Sequence, residues 1–318
     1  MADDTFKPQG PPDSVKIEGT IPPAFRQALK MVRSELPTGN EKQGTSQARP
    51  QGSAALEDLI QGLRKDLFEE VLLPSKGIFY DGKDGPTDGK LRIRPMTGEE
   101  EQILATPRYV RKGQAINMIF QRCLQEHFRT EDFLSIDRTF LLIWLRGISY
   151  SPEYDVEVKC PECERKFNTT IDLNTLTVND CPVGFRPPLH DALPMSGYKF
   201  NYRLSRGKDE ADVQEYRDRN LKMFGDTGAD DTLIYRTALL VDDIEGLKDK
   251  KELVMLIKKL PIQDVSYLRN VIIDPPFGVD TKCQIVCASC LADFEVDLPL
   301  EANFFFPRQK RKKEQTQS

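Results

Sequence analysis

The sequence predicts an α+β protein in which helical blocks and short antiparallel hairpins are joined through a zinc-ribbon-like site of four cysteines. An apolar residue, a Cys-x-x-Cys pair, three further residues and a Phe occur in this order twice, at 158–167 and at 285–294. Segments with helical spacing of apolar residues alternate with segments in which every second residue is apolar. Hydrophobic residues make up 39% of the chain. This share permits a core but lies below the usual range of roughly 45–50%, which is counted with Gly included. The lower share indicates additional solvated segments.

The chain divides into a disordered N-terminal arm at 1–55, a folded domain at 56–307 and a disordered basic tail at 308–318. The arm is rich in Pro, Gly, Ser and Gln, so it cannot bury enough apolar surface to offset the entropy of ordering. Its residues 22–36 carry apolar side chains near helical spacing. We expect this segment to be either a transient helix or a docking segment that folds on a partner.

The folded domain is expected to begin with a helix and a hairpin. Leucines and an isoleucine form one stripe over 56–74, which predicts a helix that ends at Pro74. Two short β-type segments, 78–80 and 91–94, flank a loop rich in Asp-Gly and Gly-Pro pairs. This pattern predicts a hairpin with a long loop.

The first helical block is predicted over 97–148. Thr97 and Glu100 have the spacing of a capping box, which begins a helix. One apolar face of the block consists of Ile116, Ile119, Phe120, Cys123 and Leu124. Cys123 is therefore expected to be a small buried hydrophobe. The apolar helix that follows contains Trp144, which is expected to pack in the core.

The rest of the domain alternates between strands and helices. A proline-rich connector is predicted at 181–195 and a second helical block at 208–272. The two helical blocks do not resemble each other, so the two strand–CxxC–strand units do not indicate a duplicated domain. Strands are predicted at 153–160, 165–173, 196–205, 281–287 and 293–298.

The two Cys-x-x-Cys pairs have the spacing of metal ligands. Each pair at the tip of a hairpin supplies two sulfurs, and zinc binds four thiolates as a tetrahedron. The expected structural zinc site consists of Cys160, Cys163, Cys287 and Cys290. It has no open position for catalysis. Because 124 residues separate Cys163 from Cys287, the site would close the intervening helices into one domain.

Other arrangements of the cysteines remain open at this point. A redox pair is expected at a helix N-terminus, whereas strands flank both pairs here. Cys283 could compete as a ligand, because a cluster of Cys283, Cys287 and Cys290 is a rival arrangement. That cluster would leave Cys160 and Cys163 unexplained. Cys181 lies in a loop and is expected to take no part.

Composition and motifs argue against several classes of function. The net charge of −5 gives no support for nucleic-acid binding, and no apolar segment approaches the roughly 18 residues of a membrane span. The N-terminus lacks the pattern of a secretory signal, so we expect folding in a reducing cytosol, where cysteines are metal ligands or buried thiols. His127 and His190 have no ligand-like spacing, and common catalytic motifs are missing. We therefore expect neither an enzyme nor a small-molecule substrate.

The order of the motifs resembles the baseplate hub protein family of contractile-tailed, T-even-like bacteriophages. The stretches that carry the resemblance read LPSKGIFYDG, LRIRPMTGEEEQIL, INMIFQRCL, DRTFLLIWLRGISYSPEYDVEVKCPEC and, near the end, NFFFP. They span roughly 71–307, whereas the arm and the basic tail lie outside the pattern. The resemblance implies a structural or assembly role through contacts with other phage tail or baseplate hub proteins. The implied location is the virion tail baseplate, or the host cytoplasm during assembly.

The alternative is a zinc-ribbon protein that binds nucleic acid or takes part in transcription, for which the basic residues 308–313 would be suited. Against it stands the acidic surface of the two hairpins, which would repel phosphates. Its residues are Glu153, Asp155, Glu157, Glu162, Glu164, Asp293, Glu295 and Asp297. The aromatic segment Phe304–Phe306 is expected either to contact a partner or to pack back onto the ribbon.

Overall fold

The computed structural model describes residues 58–59, 67–111, 113–225, 231–300 and 302–305. The expectations for the arm and for the basic tail concern residues outside these ranges. The described part combines helices with small antiparallel sheets, so the predicted α+β class is confirmed.

The described domain opens with a two-stranded sheet. Strand β1 (Glu69–Leu72) pairs antiparallel with β2 (Lys90–Ile93). The predicted helix over 56–74 is therefore wrong for its last part. Val71 and Leu73 are buried while the residues between and before them are exposed, which is the two-residue period of a strand.

The predicted strand at 78–80 is also wrong, because the loop between β1 and β2 folds into successive turns there. The Ile78 N–H donates to the Ser75 carbonyl and the Tyr80 N–H donates to the Gly77 carbonyl. Gly77 has a φ of 78°, and a Cβ at this position would lie 2.4 Å from the Pro86 oxygen. Only glycine fits this close approach.

The first helical block is confirmed and consists of several short helices before one long one. The capping box of Thr97 and Glu100 begins α1, as predicted. Cys123 and Trp144 are buried, also as predicted. The elements are α1 (Gly98–Leu104), α2 (Pro107–Arg111), α3 (Ala115–Cys123), a 3-10 turn (Thr130–Asp132) and α4 (Ser135–Ser149).

The remaining strands form two hairpins, one short pair and a three-stranded sheet. The predicted strands near both cysteine pairs are present as β3 (Glu153–Lys159), β4 (Lys166–Asp172), β10 (Lys282–Val286) and β11 (Asp293–Asp297). A short pair joins β5 (Val178–Asn179) to β9 (Gly278–Val279). A three-stranded sheet has the order β6 (Leu189–Ala192), β7 (Lys199–Tyr202), β8 (Val241–Ile244).

The strand β6 lies inside the predicted connector, and β8 interrupts the predicted second helical block. That block consists of α5 (Gly207–Phe224), α6 (Thr232–Leu240), α7 (Lys250–Ile257) and α8 (Ile262–Ile273). Helix α6 ends where the Lys250 ammonium donates to the carbonyls of Ala238, Leu239 and Val241. The chain then continues extended, because Val241 and Ile244 bury their side chains opposite β7.

A buried carboxyl group joins the β1–β2 loop to α4. Asp137 is 0% exposed, and it accepts hydrogen bonds from the Ser75 N–H at 3.1 Å and the Tyr80 hydroxyl at 2.7 Å. The Tyr80 oxygen in turn accepts from the Leu134 N–H at 2.9 Å. Burial raises the pKa of Asp137 to about 6, although these hydrogen bonds act in the opposite direction.

Asp137 is expected to make stability depend on pH. The folded chain keeps this proton up to about pH 6, whereas the unfolded chain releases it near its ordinary pKa of 3.8. Raising the pH from 4 to 6 therefore destabilises the folded state. The stability of the wild type relative to Asp137→Asn should fall by roughly 2 kcal/mol over this range and by roughly 3 kcal/mol from pH 3 to pH 7, since one pKa unit is worth about 1.36 kcal/mol.

Urea unfolding of both proteins at several pH values measures this difference. Because other titrating groups are common to both chains, they cancel in the comparison. A difference that stays constant from pH 3 to pH 7 would contradict the assignment.

Candidate metal centre

The first cysteine pair lies at the tip of the β3–β4 hairpin. The strands pair from Glu153 opposite Asp172 up to Lys159 opposite Lys166. Tyr154, Val156 and Val158 bury their side chains on one face of β3, while the other face is more exposed. The tip, residues 160–165, is called the first knuckle.

The second pair lies at the tip of the β10–β11 hairpin in a matching turn. Val286 pairs with Asp293, and the tip between them, residues 287–292, is called the second knuckle. In each knuckle the first cysteine N–H donates to a carbonyl five residues later, at 3.0 and 2.9 Å. In each knuckle the carbonyl of that first cysteine also accepts a hydrogen bond, at 3.0 Å, from the N–H of the fifth knuckle residue, which is Glu164 or Leu291. That fifth residue has a positive φ, 58° at Glu164 and 60° at Leu291.

The two knuckles face each other through their sulfur atoms. The Sγ atoms of Cys160 and Cys290 are 3.7 Å apart, and so are those of Cys163 and Cys287. All four sulfurs lie within 4.8 Å of one another. A tetrahedral thiolate centre with metal–sulfur bonds of about 2.3 Å requires sulfur separations of roughly 3.8 Å. The four cysteines are free thiols, and this group could hold a metal ion.

The local backbone favours the thiolate form at one of these positions. N–H groups of Cys290 and Ser289 lower the pKa of Cys287 to about 6, and the Ser289 nitrogen lies 3.4 Å from its sulfur. The thiolate is the form that binds metals. Cys160 and Cys287 are buried, whereas Cys290 reaches the surface. Against the opposite effect of the Ala292 N–H, burial and hydrogen bonds with the other three cysteines raise the pKa of Cys290 to about 12, so within the second knuckle the thiolate is favoured at Cys287 alone.

The other cysteines lie outside this group. Cys283 is buried in β10, and its thiol donates to the Thr281 carbonyl. When the two hairpins are compared position by position, Cys283 corresponds to the core residue Val156, so it occupies a packing position. The rival cluster of Cys283, Cys287 and Cys290 is not formed. The Cys181 thiol donates to the Phe185 carbonyl at 3.3 Å.

The remaining cysteine, Cys123, and the two histidines do not belong to the four-sulfur group. Cys123 is buried among apolar residues, which raises its pKa to about 12. It is therefore a poor ligand and a poor nucleophile. His127 and His190 are exposed and do not belong to the four-sulfur group.

Aromatic rings pack the two hairpins together beside the sulfurs. Phe167 and Phe294 occupy the same position in the two hairpins and meet edge to face, with centroids 6.3 Å apart. At the base of the first hairpin, Phe304 packs edge to face on Tyr154 at 5.0 Å. Phe304 and Phe305 are buried, so they pack back onto the ribbon, and Phe306 lies outside the described residues.

Arg146 holds the segment Ala302–Phe305 in place, and this role was not predicted from the sequence. Arg146 is only 1% exposed, and its guanidinium donates to the Phe304 and Ser151 carbonyls, each at 2.7 Å. It also lies over the rings of Tyr150 and Tyr154. The available signal was an arginine inside a strongly apolar helix, since such a residue requires buried acceptors.

Two single substitutions distinguish ligands from packing residues. Cys283→Val copies Val156 of the first hairpin, so it should leave the metal content of the purified protein unchanged. Cys287→Ser should reduce the bound metal by at least half, because it removes one of four thiolates. Elemental analysis of both proteins after dialysis measures the difference. Loss of metal in Cys283→Val with retention in Cys287→Ser would reverse the assignment.

Comparison with known proteins agrees with the predicted resemblance. The family model described as T4 bacteriophage base plate protein matches residues 73–306. None of the curated proteins or solved structures compared with the chain matches it. Within the described residues, every helix is too short or too polar to cross a membrane. Since the match spans both knuckles and most of the sequence, the chain belongs to the T4 bacteriophage base plate protein family.

Proposed function

We propose that this chain is a structural or assembly protein of the baseplate hub, and that it acts through contacts with other tail proteins. Membership of the family supports the coarser statement that it is a structural protein of the phage baseplate, located in the virion tail. The hub itself is favoured by the motifs that resemble hub proteins, among them LPSKGIFYDG and the NFFFP segment. During assembly the chain would meet its partners in the host cytoplasm.

We further propose that the metal is zinc and that its role is structural. Soft thiolate ligands arranged as a tetrahedron suit zinc, and a closed four-cysteine site is typical of structural zinc. Bound zinc would supply folding free energy, because the site does not exist in the unfolded chain. The proposed ligands are Cys160, Cys163, Cys287 and Cys290.

The position of the ligands defines what the metal would hold together. The first knuckle follows α4, and the second follows α8, so the second helical block lies between them in sequence. Joining the knuckles would make 56–307 one closed domain with a single core. In that core, helix residues such as Leu145 and strand residues such as Ile285 belong to the same buried cluster.

A structural role also agrees with the closed coordination. Four protein sulfurs leave no position for a substrate or for an activated water. The exposed carboxylates of both hairpins, such as Glu153 and Glu295, would repel phosphate groups. The observation that carries the proposal is the family match over residues 73–306, which includes all four cysteines.

Fractionation of infected cells tests the hub role. A phage that lacks this gene is complemented with a tagged copy of the chain, and baseplate precursors are separated by sedimentation. The chain should be recovered together with hub precursors, as identified by mass spectrometry of their known components. Cys160→Ser combined with Cys287→Ser should abolish this recovery, because the domain loses its metal.

Cys283→Val is the matched control, because it changes a cysteine outside the four-sulfur group. It should support recovery as the wild type does. Recovery only with baseplate precursors that lack hub components, or only as free protein, would contradict the hub assignment.

A further inference from the structure

Strand β4 forms one edge of the two-stranded β3–β4 hairpin. At one end of this ladder the Cys160 N–H donates to the Arg165 carbonyl, and at the other end the Leu173 N–H donates to the Pro152 carbonyl. Since hydrogen-bonded pairs alternate with non-hydrogen-bonded pairs in an antiparallel ladder, the odd-numbered residues of β4 bond to β3. The even-numbered residues direct their backbone groups outward, and these residues are Lys166, Asn168, Thr170 and Asp172.

The β4 edge lacks the features that usually protect an exposed strand. All seven residues of β4 pair with β3 without a register shift, and the strand contains no proline. Its three middle residues, Asn168–Thr170, are uncharged, whereas charges, prolines, bulges or short length usually protect an edge. Within the described residues, the hydrogen bond that reaches this edge comes from the Thr175 hydroxyl to the Asp172 carbonyl. A long and regular edge of this kind is suited to the addition of another strand.

The equivalent edge of the second hairpin is protected by its charge. The Cys287 N–H donates to the Ala292 carbonyl, and the Leu298 N–H donates to the Thr281 carbonyl, so the same alternation applies to β11. A second copy of this edge would place like charges opposite each other, which is unfavourable. The outward residues of β11 are all acidic, namely Asp293, Glu295 and Asp297.

We propose that β4 pairs antiparallel with β4 of a second copy of this chain, about a two-fold axis at Thr169. In this register the outward backbone groups of Asn168 exchange hydrogen bonds with those of Thr170 in the second copy, and the reverse pair does the same. At both ends of the pairing, Lys166 of one copy lies opposite Asp172 of the other. The outward residues of β4 are therefore complementary to themselves in charge, so the partner that fits this edge is another copy of the chain.

The odd-numbered residues also form favourable pairs in this register. Phe167 of one copy lies opposite Ile171 of the other, and Thr169 lies opposite itself. Pairs of an aromatic with a β-branched residue, of two threonines and of opposite charges all stabilise antiparallel sheets. A shift by two residues would keep the backbone bonds but would separate Lys166 from Asp172, so the charges select one register.

The charged ends of β4 are accessible for this contact. Within one copy, the Lys166 ammonium lies 3.5 Å from the Glu157 carboxylate, and both side chains are exposed. Such a surface ion pair is weak, so it does not compete strongly with a second carboxylate. Asp172 is also exposed, and one of its carboxylate oxygens accepts from the Asn174 N–H at 2.9 Å. Its other oxygen can accept from a lysine of the second copy.

Sedimentation velocity of the purified full-length chain over a range of concentrations tests the proposal. Because the interface is short, the wild type should form a reversible dimer that dissociates on dilution. Asn168→Pro removes an outward N–H without removing a bond to β3. It should raise the dissociation constant of the dimer at least roughly tenfold, while its metal content should stay unchanged, which shows that the hairpin is intact.

Glu295→Pro is the matched control for this variant. Residue 295 occupies in the second hairpin the position that residue 168 occupies in the first, and its N–H is also directed outward. This variant should leave the dissociation constant unchanged, because the proposed dimer does not use β11.

Two charge variants test the register. Lys166→Glu and Asp172→Lys each place like charges opposite each other across the two-fold axis, so each should raise the dissociation constant roughly tenfold. A mixture of the two variants restores both ion pairs, so it should form a mixed dimer with the dissociation constant of the wild type. A dimer that used another surface or another register would not show this rescue.

Three results would overturn the proposal. The first is a wild type that stays monomeric at every concentration up to about 1 mM. The second is a dimer that forms equally well in Asn168→Pro, and the third is a mixture of the two charge variants that associates no better than either variant alone. Since purified chain is used throughout, these results do not depend on the role in the baseplate hub.

Discussion

The meeting of four sulfur atoms is the constraint on which the arrangement of this protein depends. The contact between Cys163 and Cys287 joins positions 124 residues apart, and the second helical block lies inside this loop. Linking such distant positions removes more freedom from the unfolded chain than a local contact does. The edge-to-face contact of Phe167 with Phe294 continues the junction into apolar packing, so the sulfurs and the rings hold the two hairpins together.

The matched knuckles separate what the metal site requires from what the surface provides. Both need two cysteines, the same pair of backbone hydrogen bonds and a residue with positive φ. Neither needs a particular side chain at the fifth position, since Glu164 and Leu291 both occur there. The side chain at this position is therefore set by something other than the geometry of the turn.

Local chemistry made part of this fold predictable from sequence. The capping box at Thr97, the alternating strand at 153–160 and the grouping of the four cysteines all depend on neighbours or on a repeated motif. The errors concern partners far along the chain. Strand β1 was expected to be helical because it follows the helical stripe of apolar residues that runs to Leu67, and its pairing with the distant β2 makes it a strand instead. Arg146 could not be assigned because its acceptor, the Phe304 carbonyl, lies 158 residues away.

Counting zinc and reactive thiols in the purified native chain, before and after chelation, tests the central claim most directly. We expect one zinc per chain, with four thiols that react only once the metal has been removed and the domain has opened. A folded chain that contains no metal, and in which Cys160, Cys163, Cys287 and Cys290 react without chelation, would contradict it.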